Sequence, residues 1–171
     1  NVFTFMPDER VKIEPVFYKK KTIEEIENNT LLFYTAIKRD ASDILDYQNK
    51  LTSDKLSNLT ELRNLTPNLR DIITNGDNLD NIGKILHDGW MIKKAMSESI
   101  TSIKINQYYQ KAINAGALGG KLLGAGGGGF LLFYVQKDHH QKVKNALSEL
   151  YLLDFKFDIS GSRITYYDSN P

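Results

Sequence analysis

The sequence contains no cysteine. That excludes disulfide staples, thiolate metal sites and a cysteine nucleophile, and it fits a reducing compartment. Long hydrophobic runs are also missing. The longest, residues 130–135, has the length of a strand, far short of the roughly 20 apolar residues that span a bilayer. Charge of one sign is lacking as well. The formal net charge is +1 over 171 residues, so no overall field favours nucleic acid, an anionic membrane or a polyacid substrate. The opening Asn1-Val-Phe-Thr-Phe-Met6 carries neither the basic segment nor the small-residue cleavage site of a signal peptide. These absences lead us to expect a cytoplasmic protein that binds neither nucleic acid nor membrane.

A hydrophobic content of 41% and a charged content of 25% are ordinary for a globular domain. We find no internal repeat and no low-complexity linker. Residues 2–5 and 11–18 read as two strands around a Pro7-Asp8 turn, with Val11, Ile13 and Val16 on the apolar side. Thr22 is a candidate N-cap for a short acidic helix over 23–28. The run Leu31-Leu-Phe-Tyr-Thr35 has the composition of a buried central strand.

A helical region follows. Asp40 and Asp43 resemble a capping pair, and Ile44, Leu45 and Leu51 lead toward Leu56, Leu59 and Leu62. Thr66-Pro67 predicts a restart, since proline suits the first helical position with threonine as cap. That helix ends at Asn75-Gly-Asp77. Apolar spacing predicts further helices over 79–96, 103–115 and 138–150. Closing strands are expected over 154–159 and 163–167. The order predicts an α+β fold, an antiparallel sheet with helices mainly on one face.

Five of the six residues from 124 to 129 are glycine, within Lys121-Leu-Leu-Gly-Ala-Gly-Gly-Gly-Gly-Phe-Leu-Leu-Phe-Tyr-Val135. Glycine enters positive φ without steric cost, and successive backbone N–H groups in such a loop can hold an anion. A plain tight turn is the competing reading. The literal Gly124-x-Gly126-x-x-Gly129 is not a dinucleotide fingerprint, because a strand rather than a helix follows it. A protein-kinase loop would also require H-R-D and D-F-G segments, which are absent.

From Asn106 through Tyr109, Ala112 and Gly116-Ala-Leu-Gly-Gly-Lys121 to Val135, the sequence resembles the third motif of the GHMP kinases. Within that superfamily it looks most like the heptose 7-phosphate kinases. Three other stretches support the likeness: Leu31-Leu-Phe-Tyr-Thr-Ala-Ile-Lys-Arg-Asp-Ala-Ser42, Leu86-His-Asp-Gly-Trp-Met-Ile-Lys-Lys94, and the opening Asn1-Val-Phe-Thr-Phe5 with its second strand.

The resemblance implies a ferredoxin-like carboxy-terminal domain over 22–171, with 1–21 either ending an amino-terminal lobe or starting this domain. It implies transfer of the ATP γ-phosphoryl group to a sugar hydroxyl with Mg²⁺ in the full-length protein. The family's Pro-x-x-x-Gly-Leu-x-Ser-Ser phosphate loop is absent from these residues. We therefore expect the chain to need its amino-terminal lobe as partner and to be inert alone, with no catalytic residue of its own. Another GHMP branch, or a kinase-like module that binds without catalysis, is the alternative.

Candidate cofactor-binding residues are Gly124, Ala125, Gly126, Gly127, Gly128 and Gly129. Candidate sugar-phosphate contacts are Lys38, Arg39, His87 and Asp88. An arginine suits bidentate phosphate recognition, although two adjacent cations also make an ordinary solvated surface. His87 and Asp88 sit mid-helix, where histidine is commonly structural; their place in the family pattern is what recommends them. Lys121 stands before the hairpin, as a candidate anion contact or a solvated strand-edge lysine. Trp90 reads as core, and His139-His140 as surface.

Overall fold

The computed structural model describes residues 1–37, 55–97, 100–124, 126–158 and 161–167. The expected capping pair Asp40/Asp43 and the apolar residues Ile44, Leu45 and Leu51 lie outside the described residues, as does residue 159 of the first closing strand.

Strands β1 (Val2–Phe5) and β2 (Val11–Glu14) form an antiparallel hairpin with Phe3 opposite Ile13 and Phe5 opposite Val11. Asp8 ties its turn by accepting from the Arg10 side chain at 2.7 Å. Helix α1 (Lys20–Asn28) starts before the expected cap. Thr22 lies inside its first turn, buried, with its N–H bonded to the Lys19 carbonyl at 2.9 Å. Its hydroxyl packs where a side chain on Gly76 would otherwise stand.

The central sheet is four-stranded and antiparallel, in the order β4-β5-β3-β6. Its strands are β3 (Thr30–Tyr34), β4 (Ala117–Leu123), β5 (Phe130–Val135) and β6 (Tyr151–Leu153). Alternation along the strands buries Leu31, Phe33, Leu122, Leu131, Phe133 and Val135 on one face. Over that face lie Trp90 of α3 (Asp80–Met96), Ile105, Tyr108 and Tyr109 of α4 (Ile103–Asn114), and Val143 of α5 (His140–Ala146). The α+β expectation, with helices mainly on one face, holds. A smaller cluster gathers Tyr134 with Ile26, Leu79 and Ile82.

Besides the early start of α1, β2 stops at Glu14 rather than running to 18, and three larger departures follow. Helix α2 runs unbroken from Leu56 to Asn75 with Pro67 inside it. An interior proline costs about 3 kcal/mol. Leu62 and Leu65 before the proline, set against α3, and Leu69, Ile72 and Ile73 after it, packed against the smaller cluster, offset that cost by keeping both sides of the proline on one apolar stripe. Gly76, at φ +74°, closes the helix as expected. Second, the helix expected over 138–150 is divided into a 3₁₀ turn (Lys137–His139) and the short α5.

Third, the closing strands do not form among the described residues. The chain pairs earlier, as β6 on the β3 edge, and then leaves the sheet. Glu27 of α1 captures the departing segment, accepting from the Phe157 N–H at 2.9 Å and the Lys156 ammonium at 2.7 Å. That ammonium and then the amide hold the Glu27 carboxyl below its ordinary pKa.

Candidate functional site

Gly124 and residues 126–129 lie at the tip of the β4–β5 hairpin. Two neighbouring segments close on it. Ile37, just past β3, accepts the Gly129 N–H at 3.2 Å, and Ile100, ahead of α4, accepts the Gly127 N–H at 2.8 Å. The Gly129 carbonyl accepts twice from Thr35, from its N–H at 2.9 Å and its hydroxyl at 2.8 Å. Approach this close requires the absence of a side chain. A Cβ on Gly128 would stand 2.2 Å from the Ile37 carbonyl oxygen. Gly124 is glycine for another reason: it has open space around it but adopts φ +88°.

Two of the N–H groups that a phosphate nest would use are thus committed to protein carbonyls. The described glycines form a wall at this end of β4 and β5, with Gly124 exposed. Ala125, Lys38 and Arg39 lie outside the described residues. Lys38 does follow Ile37 directly in sequence, one residue beyond the carbonyl that fixes Gly129.

His87 and Asp88 belong to α3, which packs so closely on β4 that a Cβ on Gly119 would stand 1.9 Å from the Gly83 carbonyl oxygen and 2.9 Å from the His87 Cβ. His87 is half-buried and faces this contact; Asp88 is exposed. The level of Gly119 is five residues from Gly124, roughly 16 Å along an extended strand.

The His87 ring is engaged by Tyr109, with Nδ1 2.9 Å from the hydroxyl oxygen. The same hydroxyl donates to the Gly120 carbonyl at 3.4 Å. All three groups are satisfied together when Nδ1–H donates to the Tyr109 oxygen and Tyr109 donates onward. In that tautomer Nε2 keeps its lone pair. Burial, foremost, raises the Tyr109 pKa, and the charge of Asp88 adds to it.

Magnesium binds hard oxygen ligands, commonly carboxylates together with substrate phosphates. Among the described residues no three His, Asp or Glu side chains converge, and 124–129 contribute no carboxylate. The described residues therefore do not build a magnesium site by themselves.

Sequence reasoning missed how the hairpin is held. Thr35, at the end of the apolar run that begins at Leu31, is buried and fixes Gly129. Nothing local marked Ile37 or Ile100, whose part is played by backbone carbonyls. Lys93 also went unnoticed; it lines a cavity together with Lys121.

An antiparallel sheet with a glycine hairpin pinned by the segments after β3 and before α4 defines the class. Residues 75–152 match the family described as GHMP kinases C terminal, and over this stretch the chain is similar to the carboxy-terminal domain of those kinases. Among particular relatives it is similar to D-glycero-alpha-D-manno-heptose 7-phosphate kinase of Campylobacter jejuni. It is 30% identical to that protein over 165 residues, which cover 94% of this chain and 48% of the relative. The chain thus spans about half the length of the curated relative it matches.

Two solved structures share the fold. A D-glycero-D-manno-heptose 1-phosphate kinase from Bacteroides thetaiotaomicron superposes with a TM-score of 0.62 at 20% identity, covering 91% of this chain and 41% of that one. L. major mevalonate kinase superposes with a TM-score of 0.64 at 16% identity, covering 84% and 43%. Among the described residues no helix is long and apolar enough to cross a membrane.

Proposed function

We propose that this chain is the carboxy-terminal half of an ATP-dependent sugar kinase acting on a heptose 7-phosphate in the cytoplasm. The observation that carries the reading is the similarity to the Campylobacter jejuni enzyme over nearly the whole chain, glycine hairpin included. In this reading the wall at 124–129 stands beside the ATP phosphates, with Gly124 exposing backbone toward them. The cradle itself comes from an amino-terminal lobe, to which residues 1–21 contribute their two strands.

Lys38 and Arg39 supply the cationic contacts for the sugar phosphate, and the Nε2 lone pair of His87 with the carboxylate of Asp88 accepts from sugar hydroxyls. The chain by itself transfers no phosphate, because positioning and charge stabilisation at the phosphates make up most of phosphoryl-transfer catalysis.

The test is a coupled ADP-release assay on the product of the complete reading frame. Substrates are a heptose 7-phosphate, the unphosphorylated heptose, a heptose 1-phosphate, galactose and mevalonate. We expect turnover to be highest with the heptose 7-phosphate. Preference for mevalonate or galactose would move the protein to another branch of the superfamily, and no turnover on the panel would overturn the reading.

A further inference from the structure

Helices α2 and α3 and strand β4 enclose a cavity of about 360 Å³ that the proposed reaction does not use. Its wall is apolar, with Leu62 and Leu65 of α2 facing Leu86 and Trp90 of α3. Gly89 helps keep it open, since a Cβ there would meet α2 only at the Leu65 and Leu62 side chains, at 3.4 and 3.7 Å. Helix α2 contributes no buried residue, so this wall lies against its neighbour without filling the gap.

The polar lining is of one kind. Lys93 and Lys121, both half-buried, come from α3 and β4. Neither has a carboxylate partner among the described residues. Burial first, and then the charge of Lys121, lower the Lys93 pKa, as expected for two ammonium groups sharing a confined space. Trp90 is 2% exposed, and its indole N–H finds no acceptor among the described residues. Apart from the Thr66 hydroxyl, the polar side-chain heads that the cavity residues can offer it are the two ammonium groups.

We infer that this cavity is a binding site for a small amphiphilic anion, a short alkyl or aryl body carrying a carboxylate or phosphate head. The head satisfies Lys93 and Lys121, and the body lies along the leucines and the Trp90 ring. A free sugar fits poorly, since its hydroxyls need acceptors as well as donors and the lining holds no carboxylate. A cation is repelled. The site stands apart from the proposed phosphoryl-transfer reading and does not depend on it.

The chain has one tryptophan, so intrinsic fluorescence reports directly on this cavity. We would titrate the chain with octyl phosphate below its micelle concentration, alongside octanol and inorganic phosphate. A saturable change in Trp90 emission is expected with octyl phosphate, with binding weaker by about tenfold or more for octanol and inorganic phosphate. The Lys93→Gln/Lys121→Gln variant should lose about tenfold or more, in keeping with charge-assisted bonds, while Lys93→Arg/Lys121→Arg retains binding and shows that the fold tolerates both changes. Inorganic phosphate binding as tightly as octyl phosphate would overturn the proposal, as would a Gln variant that binds like the parent, or the absence of any saturable signal.

Discussion

Gly128 and Gly124 are the same residue type in one hairpin for unrelated physical reasons, and substitution separates them. Alanine at 128 drives a methyl group into the Ile37 carbonyl, at 2.2 Å. Both sides of that contact are backbone, so neither yields cheaply. We expect Gly128→Ala to destabilise the chain by about 3 kcal/mol or more. Alanine at 124 meets no atom within 4 Å and carries only the strain of φ +88°, about 1–2 kcal/mol. Urea unfolding of the two variants checks this. Equal losses would show that the tip is less tightly pinned than its hydrogen bonds imply.

At the same scale, Tyr109 links acid–base chemistry to stability. Its pKa in the folded chain lies above the ordinary value near 10 because burial disfavours the phenolate. A raised folded pKa means that the contribution is intact below about pH 10 and is lost as pH climbs past the unfolded value. Tyr134, raised for the same reason, acts in the same direction. Tyr109→Phe should therefore flatten the fall in stability above about pH 10. At neutral pH it should cost about 1–2 kcal/mol by leaving His87 Nδ1 unpaired. Denaturant melts across the alkaline range would show an unchanged slope if the hydroxyl were exposed instead.

At the scale of elements, the glycine hairpin was legible because its demands are local: strand, bare backbone, strand. The central strand at 30–34 was legible for a similar reason, an unbroken apolar run. Pro67 was misread because the local rule for proline is sound but incomplete. The helix continues since Leu62 and Leu65 before the proline and Leu69, Ile72 and Ile73 after it share one apolar stripe, whose support from α1, α3 and β5 is remote in sequence. The closing strands were misread because the alternation of Phe155 and Phe157 resembles a strand, while the Glu27 carboxylate that takes up the Phe157 amide is remote in sequence. The two-lysine cavity was illegible on the same ground, with its cations contributed by different elements.

Helix α2 yields a prediction of its own. If packing carries the proline at a cost, Pro67→Ala should raise stability by about 1 kcal/mol or more. A higher thermal midpoint is the expected result. A lower one would mean that the proline's packing contributes more than its missing N–H costs.

For the molecule as a whole, the issue is what covers the β1–β2 hairpin. A lone two-stranded hairpin is marginal in water, and this one touches the rest of the chain through residues such as Glu14, 3.7 Å from Arg70 of α2. Its other face gathers Phe3, Phe5, Val11 and Ile13, paired across the ribbon and 54%, 79%, 45% and 59% exposed. A contiguous apolar face of this kind marks an interaction surface or an aggregation liability. The amino-terminal lobe proposed above is the natural occupant, because its sheet would both shield the side chains and pair the free strand edges. Phe5→Asp/Ile13→Asp should make the isolated chain more monodisperse in light scattering without lowering its thermal midpoint. The same pair placed in the complete protein should lower the midpoint by several degrees, since the charges are then buried against the other lobe. Equal behaviour in the two settings would mean that this face is free in both.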